Sequence, residues 1–174
     1  MFKARALFSI VAIVILCCIS QSCAYRLDGI SIPAGLKTIN VEYFENNAPY
    51  VLTSLSQSVT EAIKTRIRSQ TSLSIVRGEG NATMSGSIVG YSIGPVAVQA
   101  TNTNTAPPIA SKSRLTITVN VKYVNDIDKK LNFEQSFSRW ADFSGDIGSQ
   151  EQKLVAQILP EITEDIFNKA FANW

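Results

Sequence analysis

The run Leu115-Thr116-Ile117-Thr118-Val119-Asn120-Val121-Lys122-Tyr123 alternates apolar and polar side chains from end to end. Successive side chains of an extended strand point to opposite faces, so a period of two predicts a strand over Lys112 to Val124. Leu115, Ile117, Val119, Val121 and Tyr123 would face a core, and Thr116, Thr118, Asn120 and Lys122 would face water or a partner. Downstream, Asn125 to Lys130 closes a hairpin into a strand from Leu131 to Trp140, where Leu131, Phe133 and Phe137 share a parity with Gln135 and Arg139. Upstream, Ala82 to Val98 is a longer strand interrupted by Gly86, Gly90 and Gly94-Pro95, which predicts bulges, with the proline half at a sheet edge. The stretch Gln99 to Ser111 is too polar to pack and reads as a loop. A first strand over Leu36 to Phe44, with Ile39, Val41 and Tyr43 on one face, and a short one over Leu73 to Val76 complete the extended segments.

Two segments change period. Leu52, Leu55, Val59, Ile63 and Ile67 recur at steps of three and four, which makes one apolar stripe on a helix from about Thr53 to Gln70. Val155, Ile158, Leu159, Ile162, Ile166 and Ala170 do the same near the end of the chain, with Phe167, Phe171 and Trp174 widening the stripe. Ser149 to Gln152 has the form of a capping box, and Pro160 removes one helical hydrogen bond, predicting a kink or a break. The expected fold is α+β, two helices packed on one face of a mostly antiparallel four- to five-stranded sheet. The expected organisation is a signal peptide over 1–22, a lipidated tether over 23–35 and a single domain over 36–174.

The beginning of the chain assigns its compartment. Lys3 and Arg5 precede an apolar run from Ala6 to Ile19, then Ser20-Gln21-Ser22-Cys23. A positive start, an apolar core shorter than the roughly 20 residues that span a bilayer, and a small residue before a cysteine describe an exported lipoprotein. Cys17 and Cys18 follow bulkier neighbours, whereas Cys23 follows Ser22, so Cys23 is the candidate lipidation site. Ala24 and Tyr25 follow it, with no aspartate to retain the chain in the inner membrane, which points to the outer membrane and a domain facing the periplasm. Loss of Lys3 and Arg5 with the signal leaves fourteen basic residues against fourteen acidic ones. A neutral domain has no electrostatic footing for nucleic acid. The charges are segregated, however: residues 64–122 hold seven cations and one acid, while residues 126–174 hold nine acids and five cations. Lys64, Arg66, Arg68, Lys112 and Arg114 are candidates for an anionic ligand if they converge, and ordinary solvated faces if they do not.

The chain has no histidine and three cysteines, none of them beyond Cys23. Zinc and haem ligation, cysteine nucleophiles and histidine-assisted serine chemistry each need an imidazole or thiolate, so no metal site, cofactor or catalytic centre is expected. Two carboxylate pairs, Glu42 with Glu45 and Asp142 with Asp146, are the only ones suggestive of glycan hydrolysis, and Asp142 to Asp146 reads more simply as a turn than as a cation loop.

Several blocks resemble one family. Ile39-Asn40-Val41-Glu42-Tyr43-Phe44-Glu45-Asn46-Asn47-Ala48-Pro49, Leu55-Ser56-Gln57, Ser69-Gln70-Thr71-Ser72-Leu73, Gly90-Tyr91, Leu115 to Val121, Phe133 to Ser138 and Asp165 to Trp174 resemble the lipopolysaccharide-assembly lipoprotein family, LptE. The resemblance implies a non-enzymatic outer-membrane lipoprotein that sits in the lumen of the β-barrel LptD, helps that barrel assemble and assists delivery of lipopolysaccharide to the outer leaflet. On that reading the five basic residues are candidates for lipid A phosphates, chosen for their charge. The stretches Tyr43 to Pro49 and Phe133 to Trp140 are either partner-facing or core, with Phe133, Phe137 and Trp140 expected to be buried. The alternative is a periplasmic scaffold or pilotin for another barrel or secretin. If Cys23 carries the anchor, Cys23→Ser releases the protein into the soluble periplasmic fraction and abolishes the diacylglycerol mass adduct.

Overall fold

The computed structural model describes residues 32–50, 52–96 and 112–172. The signal segment, Cys23, most of the tether, the 99–111 stretch and Trp174 lie outside the described residues. In chain order the elements are β1 (Thr38–Val41), β2 (Glu45–Asn46), α1 (Leu55–Gln70), β3 (Ser74–Val76), β4 (Ala82–Pro95), β5 (Ser113–Asn125), a 3-10 turn (Lys129–Leu131), β6 (Phe133–Phe143) and α2 (Glu151–Phe171). The sheet order is β3-β1-β4-β5-β6, with β2 also paired to β4.

The α+β class is as expected, and the sheet is larger and more mixed than expected. It has six strands, and β1 pairs in parallel with both β3 and β4, while β2 also pairs in parallel with β4. The cause is α1: a helix leaving one strand and returning to the next makes a crossover, which delivers parallel neighbours where a hairpin would deliver antiparallel ones. The long ladders, β4 with β5 and β5 with β6, are antiparallel. All five inward residues of β5 are fully buried, as the alternation requires. They meet Leu55, Val59, Ile63 and Ile67 of α1 and Ile158, Ile162, Ile166 and Phe171 of α2 in one core.

The first strand departs from its expected pattern in an informative way. Val41 pairs with Met84 and Glu45 pairs with Ser87, so three residues of one strand stand opposite two of the other. The extra residue reverses the alternation. Ile39 and Val41 face the core, but Tyr43 turns outward, 59% exposed, and Phe44 is fully buried. Phe44 fits because Gly86 has no side chain: a Cβ there would lie 2.6 Å from Phe44 Cε1 and would collide with the Asn120 carbonyl oxygen. The Phe44 N–H donates to Thr60 Oγ1 at 3.1 Å, and that hydroxyl donates to the Ser56 carbonyl at 2.7 Å, which fixes the bulge to α1.

The glycine-rich strand β4 does carry a bulge, at Val89: Ile88 pairs with Val119 and Gly90 with Thr118. The residue gained restores the inward direction of Tyr91, which is buried. Beyond Ile88 no strand pairs with β4 on the side away from β5 among the described residues, so Pro95 lies at an edge, as its missing N–H requires. Two helix expectations are corrected. Of the kink or break expected at Pro160, the break does not occur: α2 runs from Glu151 to Phe171. Ala156 and Pro160 are both exposed, so the carbonyl deprived of its helical donor lies on the solvent side of the helix. The expected capping box is absent: Ser149 Oγ donates to the Asp146 carbonyl at 3.2 Å, and helical geometry starts after Gln150, whose side-chain amide donates to the Ser144 and Asp146 carbonyls. The acidic turn, closed by Gly145 at φ +83°, holds Ser149 and Gln150, so the serine is not free to pair with Gln152 as a cap.

Two outcomes test this packing. Gly86→Ala forces the Asn120 backbone or the Phe44 ring to move and lowers unfolding free energy by about 3 kcal/mol, measurable by urea titration. Burial, partly offset by a hydrogen bond from Asn125, pushes the Tyr123 phenol up to about 12 from an ordinary value of 10.0. The native state therefore holds its proton where the unfolded chain releases it. That stability is fully present below pH 10 and is lost as pH rises through about 12. Ultraviolet titration shows Tyr123 ionising only near pH 12, together with loss of structure.

Candidate functional site

With both helices on one side, the other face of the sheet is uncovered among the described residues. Its central rows come from β5 and β6 and stand in register: Arg114 opposite Asp142, Thr116 opposite Trp140, Thr118 opposite Ser138, Asn120 opposite Ser136 and Lys122 opposite Glu134. Strand β4 adds Ser85, Ser87 and Ser92 opposite Lys122, Asn120 and Thr116. Thr118 Oγ1 and Ser138 Oγ share a hydrogen bond of 3.0 Å, and Asn120 Nδ2 donates to Ser136 Oγ at 3.4 Å. The result is a flat field of small hydroxyl and amide groups, each able to exchange its water for a partner's polar group.

One end of this field is charged and aromatic. Arg114 donates twice to Asp142, at 2.6 and 3.0 Å, and its guanidinium lies 5.0 Å from the Trp140 ring centroid. The hydrogen bonds from Arg114 hold the Asp142 carboxyl below the usual carboxylate range against desolvation, with smaller help from the charges of Arg114 and Lys112. Trp140, expected to be buried, is 49% exposed. It has the outward parity of Ser136 and Ser138, whereas Phe137, Ala141 and Phe143 point inward and are buried. Phe133 is partly buried against the core.

The five basic candidates fall into two sets. Lys112 and Arg114 gather around Asp142 at the end of the open face. Lys64, Arg66 and Arg68 belong to α1 in the helix layer, and the structure does not bring the two sets together. Lys64 pairs with Glu61 at 3.3 Å. Arg66 spans the helices, with Nε donating to Thr163 Oγ1 at 3.1 Å and Nη2 to the Pro160 carbonyl at 2.9 Å, while Nη1 lies 3.8 Å from Glu164. It flanks an open groove of about 520 Å³ between α1 and α2, lined also by Ala62, Thr65, Leu159 and Pro160. Arg68 is exposed in the last turn of α1.

Two polar links were missed by sequence reasoning. Arg139 donates twice to Asp165, at 2.6 and 2.7 Å, tying β6 to α2. The available signal was its parity: an arginine in phase with Phe137 points toward the helix layer. Tyr91 donates to Glu151 at 2.6 Å and stacks on Tyr50 with ring centroids 5.2 Å apart. Burial first, then the Glu151 carboxylate, raises the Tyr91 phenol above its ordinary range. The Asp142–Asp146 pair is divided: Asp142 serves Arg114 while Asp146 accepts from the Ser149 N–H at 3.3 Å. Among the described residues, no group of three or more His, Cys, Asp or Glu side chains converges, and no helix is long and apolar enough to cross a membrane.

Comparison with known proteins agrees with this architecture. A protein of the DUF330 family from Xanthomonas campestris shares the fold, with a TM-score of 0.50 at 8% identity over 79% of this chain and 87% of that one. Rare lipoprotein B from Shewanella oneidensis aligns with a TM-score of 0.47 at 11% identity, covering 76% of this chain and 92% of its own. A minor lipoprotein from Acinetobacter baumannii aligns with a TM-score of 0.47 at 12% identity, covering 77% and 91%. No curated protein matches by sequence. The sequence model of the LptE lipopolysaccharide-assembly family matches residues 36–170, from before β1 to the last turn of α2, and the chain belongs to that family.

Proposed function

We propose that this protein is an outer-membrane lipoprotein, anchored through Cys23, that partners an LptD-like β-barrel in assembling and delivering lipopolysaccharide. The observation that carries the reading is the family match over residues 36–170. The geometry supplies a suitable contact surface. Barrels that conduct polar cargo have polar interiors, and the centre of the open sheet face offers Thr, Ser and Asn groups in ordered rows, with Trp140 exposed at one end. A plug of this kind needs register more than affinity per contact. Lys112 and Arg114 at the end of the face, with Lys64, Arg66 and Arg68 on the helix layer, are the cations available to lipid A phosphates. Arg66 meets such a phosphate only by loosening its hold on Pro160 and Thr163.

Affinity purification of the tagged protein from solubilised outer membranes tests the proposal, with mass spectrometry for proteins and a phosphate assay for lipopolysaccharide. The expected result is recovery of an LptD-like barrel. Placing charge on the open face, Thr118→Glu with Ser138→Glu, reduces that recovery at least about tenfold; the lost hydrogen bond and the facing carboxylates lower stability by about 1–2 kcal/mol, and circular dichroism shows the variant still folded because the core is untouched. Enrichment of a secretin in place of the barrel would favour a pilotin role.

A further inference from the structure

The turn between β5 and β6 stands beside the point where the chain enters the domain. Ile127 packs over Gly35, where a Cβ would lie 3.2 Å from Ile127 Cγ2. The entering segment is fixed in its turn: Ile32 packs on the core, Leu36 is buried, and the Leu36 N–H donates to the Pro33 carbonyl at 2.9 Å. Asn125, fully buried, organises the turn, its Oδ1 accepting from the Ile127 and Asp128 N–H groups at 2.9 and 3.0 Å. Its own N–H donates to Asn132 Oδ1 at 2.7 Å. The tip is thus held by a network that presents Ile127 to solvent, 49% exposed, where a turn ordinarily carries a polar residue. Lys129 and Lys130 follow it on the 3-10 turn, and Lys37 lies just after the entering segment, all three exposed. Asp128 is folded back onto the Lys130 N–H at 3.0 Å, which leaves Asp126 as the outward acid of the tip.

We propose that this tip is a second point of membrane contact for the lipid-anchored chain. Ile127 sits at the boundary between headgroups and acyl chains, and Lys129 and Lys130 reach lipid phosphates. The inference rests on the reading of Cys23 as the anchor. Eight residues lie between Cys23 and Ile32, a span of at most about 32 Å when fully extended. A contact that is weak in free solution becomes populated when a tether keeps it that near the surface. With Asp126 and Asp128 balancing Lys129 and Lys130, the tip is close to neutral, so the apolar contact leads and the lysines assist. The consequence is an orientation: β5 ends at the tip, so the sheet stands on the bilayer rather than lying along it.

The test uses Ile127→Cys in the lipidated chain, since Cys23 is the only other cysteine left after the signal is removed. The introduced thiol carries an environment-sensitive fluorophore, and the protein is reconstituted in phosphatidylethanolamine–phosphatidylglycerol vesicles containing a lipid-borne nitroxide quencher. The expected result is blue-shifted, quenched emission at position 127 and water-like emission from the same label at Ser138→Cys. Lys129→Glu with Lys130→Glu lowers the quenching about twofold. Water-like emission at 127 from protein that still floats with the vesicles would overturn the contact and leave the anchor intact. A chain that neither floats nor carries a diacylglycerol adduct would overturn the anchor and this inference with it.

Discussion

Leu115, Ile117, Val119, Val121 and Tyr123 have no exposed surface, and a strand with such an inner row tolerates only one arrangement of its surroundings. Everything apolar must gather on that side, so both helices do, and the opposite row of Arg114, Thr116, Thr118, Asn120 and Lys122 is left for water or for another protein. The two faces of β5 thus divide the molecule into a half that stabilises and a half that is available. A slip of one residue in its register would exchange the two, burying a lysine and an arginine, and the ladders on both sides resist that.

The strand alternation and the helical stripes were legible because burial is written directly into residue type. Leu55, Val59, Ile63 and Ile67 repeat at the helical period and are all buried, and the same holds for the stripe of α2. What escaped was geometry set by a neighbour. The flip at Tyr43 and Phe44 depends on the space above Gly86, which belongs to a different strand and is invisible in the local pattern. The parallel pairings of β1 follow from where α1 returns the chain, a matter of connection rather than composition. Ser149 and Gln152 had the spacing of a cap, but spacing does not reveal that Asp146 competes for the serine. Trp140 was misjudged through its aromatic character although its parity with Ser136 and Ser138 gave the correct side.

The charge segregation read from the sequence takes a different form in three dimensions. Arg114 and Arg66 of the basic stretch meet Asp142 and Glu164 of the acidic end, while Arg139 meets Asp165 within the acidic end itself. The basic middle and acidic end therefore serve partly as complementary halves of one fold. Arg139–Asp165 and Arg66–Glu164 both reach α2, and they bracket it between the edge strand and α1. Each pair is partly exposed and weak by itself; the placement counts more than the strength, because it fixes where α2 lies on the sheet.

The order β3-β1-β4-β5-β6 leaves the sheet with unequal borders. On one side β3 is three residues long, too short to template another strand. On the other, β6 runs for eleven residues with no further strand beyond it among the described residues. Among the described residues the longest free border is therefore that of β6; the unpaired stretch of β4 beyond Ile88 is shorter and is closed by the bulge at Val89 and by Pro95. Glu134 and Arg139 put charge along β6, and the hold of Asp165 on Arg139 keeps a helix close against it, which are the means by which exposed edges resist self-association. The molecule is thereby guarded along the longest edge on which a further strand could add.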